Sequence, residues 1–199
     1  MNKNQKLLSH IDLKSQWLDE RDELMPIIDR VMSSGKFILE TECDEFEESV
    51  AKLCSVKYAA ALNSGTDALM YALTLSGLKK GDEVITPSNS FIASTSSIVH
   101  IGAKPVFVDV LPNQNIDPSK IEDAITENTK AIMPVHLTGR VCDMDPIIEI
   151  AKRYNLIVIE DAAQAIGSKY KGKLSGSIGD IGCFSTHPLK NLNACGDGG

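Results

Sequence analysis

From about Tyr58 onward the chain alternates between short apolar runs and stretches of helical periodicity, and this leaves few folds open. The apolar runs cover residues 58–62, 83–86, 105–108, 131–135, 156–159 and 181–184. The helical stretches cover 66–77, 90–101, 118–126 and 144–154. A strand that is apolar along its whole length has no solvated face, so it belongs in a parallel sheet covered by helices on both sides. The pattern therefore predicts an α/β protein, a three-layer sandwich around a mostly parallel sheet. The segments G-L-K-K-G-D-E and L-P-N-Q-N-I-D-P read as connecting loops. In such a sheet a ligand lies in the crevice beyond the carboxyl ends of the strands, which singles out the residues that follow each apolar run.

Upstream of the alternation, residues 13–34 carry Trp17, Leu24, Ile27, Ile28 and Val31 at helical spacing, with Gly35 as the stop. A second helix follows over 42–54, with Thr41 as its cap, an acidic start, and Phe46, Val50 and Leu53 on one face. The expected division is an amino-terminal arm and helix over 1–34 and a large domain over 35–199.

Composition excludes several function classes. The formal charge of −7 does not suit a general nucleic-acid surface, which needs clustered Lys and Arg. Any anionic ligand must be held by helix starts and a few placed cations. The first residues lack the apolar core of a signal peptide and no run reaches membrane-spanning length, so the cytoplasm is the expected compartment. Five cysteines without a C-x-x-C spacing and four histidines without H-E-x-x-H predict neither a disulfide framework nor a metal centre.

The strand ends offer a handful of chemical groups. The last apolar run empties into Ser185, Thr186 and His187, then Pro188 and a single lysine, Lys190. A lysine desolvated at such a place has a lowered pKa and attacks a carbonyl as a free amine; a solvated loop lysine is the plainer reading. The run 58–62 leads to Asn63-Ser64-Gly65-Thr66 at a helix start. Free amides beside Gly65 make either a phosphate cradle or an ordinary cap. The run 156–159 ends in Glu160-Asp161, of which at most one carboxylate faces the crevice. That carboxylate either pairs with a cation, such as a protonated ring nitrogen, or is held by nearby backbone. Phe91 lies on a planar ligand or fills core. Arg140, after His136, contacts substrate or is loop polarity. The lysine of a phosphate loop is missing, which sets a nucleotide hydrolase aside.

Taken together, N-S-G-T-D-A-L, V-I-T-P-S-N-S-F-I-A-S, V-I-E-D-A-A-Q-A-I-G and F-S-T-H-P-L-K-N-L-N-A-C-G-D-G-G resemble the sugar aminotransferases of the DegT/DnrJ/EryC1/StrS group, from about Ile11 to Gly199. That resemblance implies the large domain of an aspartate-aminotransferase-like fold and pyridoxal 5'-phosphate as cofactor. On the matching positions it implies that Lys190 forms the Schiff base and shuttles a proton, and that Asp161 keeps the ring nitrogen protonated. Gln164 bonds near the phenolic oxygen, Phe91 stacks on the ring, and Gly65, Thr66 and Ser185 hold the phosphate. His187 and Arg140 are implied only as substrate-side contacts. The implied reaction moves an amino group from L-glutamate to a nucleotide-linked keto-sugar, in a homodimer with sites shared between subunits. Thr186, His187, Asn193, Thr138 and Arg140 depart from the usual pattern on the substrate side, which leaves the sugar open. Relatives with histidine in place of the lysine dehydrate sugars instead; position 190 is lysine. A non-catalytic regulator that keeps the fold is the alternative. The turn Gly196-Asp197-Gly198-Gly199 falls inside the family pattern, so the resemblance implies about as much chain again, including a smaller domain.

Overall fold

The computed structural model describes residues 11–199; the first ten residues of the expected arm lie outside the described residues. The chain separates into two compact units, one ending at Glu45 and one running from Phe46 to Gly199.

The first unit is built on helix α1, Leu13–Ser34. Asp12 caps it by accepting the Ser15 amide at 3.0 Å. Gly35 ends it in the left-handed region (φ +67°), where its N–H reaches Met32 O, as the sequence predicted. Helix α2, Thr41–Cys54, begins one residue earlier than expected, because Thr41 is itself helical. Its first turn carries Glu42 and Asp44 at the positive end of the helix dipole.

The second unit holds the sheet. Strands β1 (Glu83–Pro87), β2 (Lys104–Val108), β3 (Thr129–Ile132), β4 (Ile157–Asp161) and, after a two-stranded hairpin of β5 (Lys169–Tyr170) and β6 (Lys173–Leu174), β7 (Ile181–Cys183) are the extended elements. The main sheet runs β2-β1-β3-β4-β7, every neighbouring pair parallel. Helices α3 (Gly65–Leu75), α4 (Ile92–His100) and α5 (Met144–Tyr154) cover it. Alternation along each strand sorts the core into two layers. Val84, Ala131 and Ile159 pack with Leu69, Leu73 and Ile98 of α3 and α4. Ile85, Ile132 and Val158 pack with Met144, Ile147 and Ile150 of α5 on the other face. The expected three-layer α/β sandwich is the architecture observed.

Two predicted elements are corrected. Residues 58–62 form no strand. A strand exists only with a paired neighbour, and this segment has one reciprocal bond pair, between Leu62 and Gly199, at 2.7 and 3.0 Å. Residues 118–126 are not one helix but two 3-10 turns, Pro118–Lys120 and Glu122–Ala124. So short a segment does not repay helix nucleation. Its end is drawn into extended backbone at Ile125, beside Thr126, whose hydroxyl donates to Glu83 Oε2 at 2.6 Å. The hairpin β5–β6 was not foreseen; its turn uses Lys171 and Gly172 at φ +49° and +85°.

From β1 the chain passes through α4 to β2 on one side and then crosses back to β3 on the other. The sheet therefore has a topological switch beside β1, where the loops after neighbouring strands part and leave a crevice.

Candidate active site

Lys190 and Asp161 line a single cavity of about 470 Å3 beyond the strand ends. Its size is that of a small-molecule or cofactor site, a few hundred Å3. The segments that follow β1, β3, β4 and β7 all reach it, through Phe91, His136, Gln164 and Ser185. Asp161 is the last residue of β4 and is buried. Its Oδ2 accepts from the Ser94 hydroxyl at 2.6 Å and its Oδ1 from the Ala163 amide at 3.2 Å. Burial pushes the Asp161 carboxyl above the usual carboxylate range, while the bonds from Ser94 and Ala163 and the charge of Lys190 pull it back. A carboxylate in this condition gains most from a further positive partner.

Its neighbour Glu160 points the other way, as strand geometry requires. Glu160 Oε1 accepts the amides of Ile178 and Gly179, both at 2.7 Å. Its Oε2 takes the Gly176 amide and His136 Nε2, both at 2.8 Å. Because His136 Nδ1 accepts the Cys142 amide at 3.3 Å, the ring proton is on Nε2 and donates to Glu160. Burial works against this charge, but the bonds from His136, Gly179 and Gly176 outweigh it and hold the Glu160 carboxyl below its ordinary value of 4.5. Glu160 thus ties β4 to the loop leading into β7 and is not among the residues that line the cavity. Glu160→Gln is expected to cost about 3–5 kcal/mol of stability, because its amide group opposes donors with a donor. Chemical denaturation should measure that loss. A depressed carboxyl pKa stabilises above the unfolded value and ceases to do so as pH falls through the folded one. Part of the acid sensitivity below about pH 4.5 should therefore vanish in this variant.

Lys190 sits half-buried on the turn after β7, its Nζ 6.0 Å from the Phe91 ring centroid. The turn is stapled: the Thr186 amide donates to Gly198 O at 2.8 Å and the Ala194 amide to Thr186 O at 2.7 Å. Gly198 permits that approach, since a Cβ there would lie 2.2 Å from Thr186 Oγ1. His187 also lines the cavity, its Nδ1 taking the Leu189 amide at 3.1 Å and its Nε2 standing 3.9 Å from Asp197.

Helix α3 presents its amino end to the same space. Ser64 caps it by accepting the Asp67 amide at 3.1 Å. Among the described residues no hydrogen bond takes the amides of Gly65 and Thr66. A Cβ at Gly65 would lie 2.6 Å from Ser185 Cβ and 3.0 Å from Phe184 O, so only glycine brings Ser185 against the helix start. Gln164 is oriented by its Oε1, which accepts the Thr138 amide at 2.8 Å, leaving its NH2 group for the cavity. Arg140 is not brought in: it is exposed, and its carbonyl takes Asn115 Nδ2 at 2.9 Å.

These residues fit pyridoxal phosphate in chemical kind. An amine faces the carbonyl's needs, a buried carboxylate those of a ring nitrogen, and unpaired amides beside Ser185 those of a phosphate. A second hollow of about 380 Å3, lined by Phe46, Tyr58, Tyr71 and Leu75, has Glu47 and Asp180 as its charges and no cation. Among the described residues, no cluster of three His, Cys, Asp or Glu side chains is placed to hold a metal, and no helix is long and apolar enough to cross a membrane. Sequence reading missed Ser94 and Asp197. Ser94 lies inside a quoted motif, but its target is 67 residues away, and only the packing of α4 on the sheet joins them.

Residues 18–199 match the DegT/DnrJ/EryC1/StrS aminotransferase family. The chain is 48% identical to a pleiotropic regulatory protein of Geobacillus stearothermophilus, covering 95% of this chain and 51% of that protein. It is 49% identical to the GDP-perosamine synthase of Caulobacter vibrioides, covering 96% and 52%. Its fold superposes with a TM-score of 0.88, at 40% identity, on ntda from Bacillus subtilis with bound cofactor PMP, over 99% of this chain and 45% of that one. The chain spans about half the length of the curated relatives it matches.

Proposed function

We infer from the fact that this chain belongs to the DegT/DnrJ/EryC1/StrS aminotransferase family that the full-length protein is a pyridoxal-phosphate-dependent sugar aminotransferase. Its acceptor is a nucleotide-linked keto-sugar, its donor L-glutamate, and its product an amino sugar for polysaccharide or related synthesis. The working unit is a cytoplasmic homodimer of the full-length chain. One observation carries the reading: a single cavity brings together Lys190, Asp161 and the open start of α3.

When bound, the cofactor supplies a carbonyl that exchanges amines and a ring that accepts electron density. The chain's residues do the rest. Lys190 Nζ would hold the cofactor's carbonyl carbon and would serve as the base that takes up and returns a proton. Asp161 would hold a proton on the ring nitrogen. The amides of Gly65 and Thr66, with Ser185 Oγ, bind the phosphate at the positive end of α3. Phe91 and the free NH2 group of Gln164, both at the cavity wall, would cover a ring face and bond a ring oxygen. His187, at the mouth, contacts the sugar side.

The full-length protein should be yellow and should bleach on addition of L-glutamate; colour should return only with a keto-sugar acceptor, identified from a panel of nucleotide-linked sugars. A colourless protein indifferent to added pyridoxal phosphate would favour the regulator reading, which the name of the Geobacillus relative keeps in view. The intact Lys190 and Asp161 weigh against that reading. Gly65→Ala is expected to weaken cofactor binding on the order of 10- to 100-fold, because the displaced Ser185 and helix start lose charge-assisted bonds to the phosphate. Equilibrium dialysis against pyridoxal phosphate would measure it.

A further inference from the structure

Asp161 does not stand alone at the floor of the cavity. The hydroxyl of Ser94, wholly buried on the first turn of α4, donates to its Oδ2 across 67 residues of sequence. Behind it, Ser90 Oγ lies 3.0 Å from Ser94 Oγ, and Ser90 also reaches Phe91 O at 2.9 Å. Phe91, the residue at the cavity wall, is the cap position of the same helix and has no side-chain cap bond of its own. The loop that carries the cavity-lining aromatic and the hydroxyl that grips the cavity-lining carboxylate therefore belong to one turn.

We propose that Ser94 is a positioning residue for the cofactor's ring nitrogen, fixing the Asp161 carboxylate so that its remaining lone pairs face the cavity. This rests on the pyridoxal-phosphate reading. The geometry asks for a hydroxyl and not simply for a small side chain. Oδ1 is already met by the Ala163 amide, so the carboxylate plane is set by two donors on opposite oxygens. Remove one and the group can turn about its last torsion, where rotamers are broad. A buried carboxylate also loses a charge-assisted bond, which makes it a better owner of the very proton it is meant to leave on the ring. Lys190, His136 and Cys183 also act on Asp161 from other elements, but among the described residues no hydrogen bond joins their side chains to its carboxylate, and His136 Nε2 donates to Glu160, so none of them replaces the lost hydroxyl.

The test uses the full-length protein and pyridoxal phosphate labelled with 15N in its ring. In the wild type the ring nitrogen should give the protonated shift. In Ser94→Ala that signal should move toward the unprotonated position, the cofactor dissociation constant should rise about 10-fold, and kcat should fall on the order of 10- to 100-fold with little change in KM for either substrate. Ser94→Thr, which keeps the hydroxyl, should recover the protonated signal. Ser94→Cys preserves volume with a weak donor and should behave like the alanine variant, which keeps the test decisive if Ser94→Ala does not fold. A ring nitrogen as fully protonated in the alanine or cysteine variant as in wild type would overturn the proposal. If wild type fails to bind pyridoxal phosphate at all, the cofactor reading itself falls, and the inference with it.

Discussion

Lys190→Ala is expected to abolish amino transfer while leaving a protein that still binds pyridoxal phosphate. The loss should be on the order of 10^4-fold, because on the proposed reading one side chain supplies both the covalent attachment and the proton carrier. Affinity should survive in large part, since the groups proposed to hold the phosphate and the ring nitrogen, the start of α3 and Asp161, are separate from Nζ. Two measurements separate these contributions. Borohydride should fix the cofactor to the wild-type protein and not to the variant, and a short amine added to the variant should restore part of the turnover. Covalent fixation to the alanine variant would show that another lysine carries the cofactor.

Asp161→Ala should cost on the order of 10^3-fold in turnover, as expected when a buried electrostatic partner of the reacting system is removed. Cofactor binding should weaken as well, because a protonated ring nitrogen would then lie in a buried place without its anion. Stability should move the other way. Burial raises the folded-state pKa of Asp161 above the unfolded value of 3.8, so the folded state binds this proton more tightly. Stability from this group is present at low pH and is lost as pH rises through the folded pKa; at neutral pH the charged carboxylate is a cost. Asp161→Asn, whose Oδ1 can accept the Ala163 amide while its Nδ2 donates to the Ser94 hydroxyl, should therefore raise the thermal midpoint of the cofactor-free protein near pH 7 while losing turnover. A lowered midpoint with normal turnover would remove Asp161 from the role proposed. Glu160, one residue away, should show the reverse pattern, a stability loss without a cofactor phenotype, because its four donors are all structural.

The two adjacent acids show where sequence reading stops. Period-two alternation says that Glu160 and Asp161 face opposite ways, yet it cannot say which meets the cavity; that depended on α4 packing over the Asp161 side with Ser94 and on His136 reaching Glu160. Arg140 follows His136 by four positions and was expected on the substrate side. The turn at Thr138 and Gly139, with φ of +55° and +83°, leaves Arg140 exposed and outside the cavity lining.

Local pattern alone determined five of the six apolar runs as strands and three of the four helical stretches, the covered parallel sheet, α1 with its glycine stop, and the short roster of strand-end residues. Those follow from side-chain periodicity and backbone preference, which act over a few residues. Only tertiary structure decided that 58–62 is not a strand and that Lys190, Asp161, Phe91 and Gly65 share one cavity. It also brought Ser94 to Asp161. Pairing and packing of this kind join positions tens of residues apart, and no local propensity encodes the meeting of two segments whose only common property is the space between them.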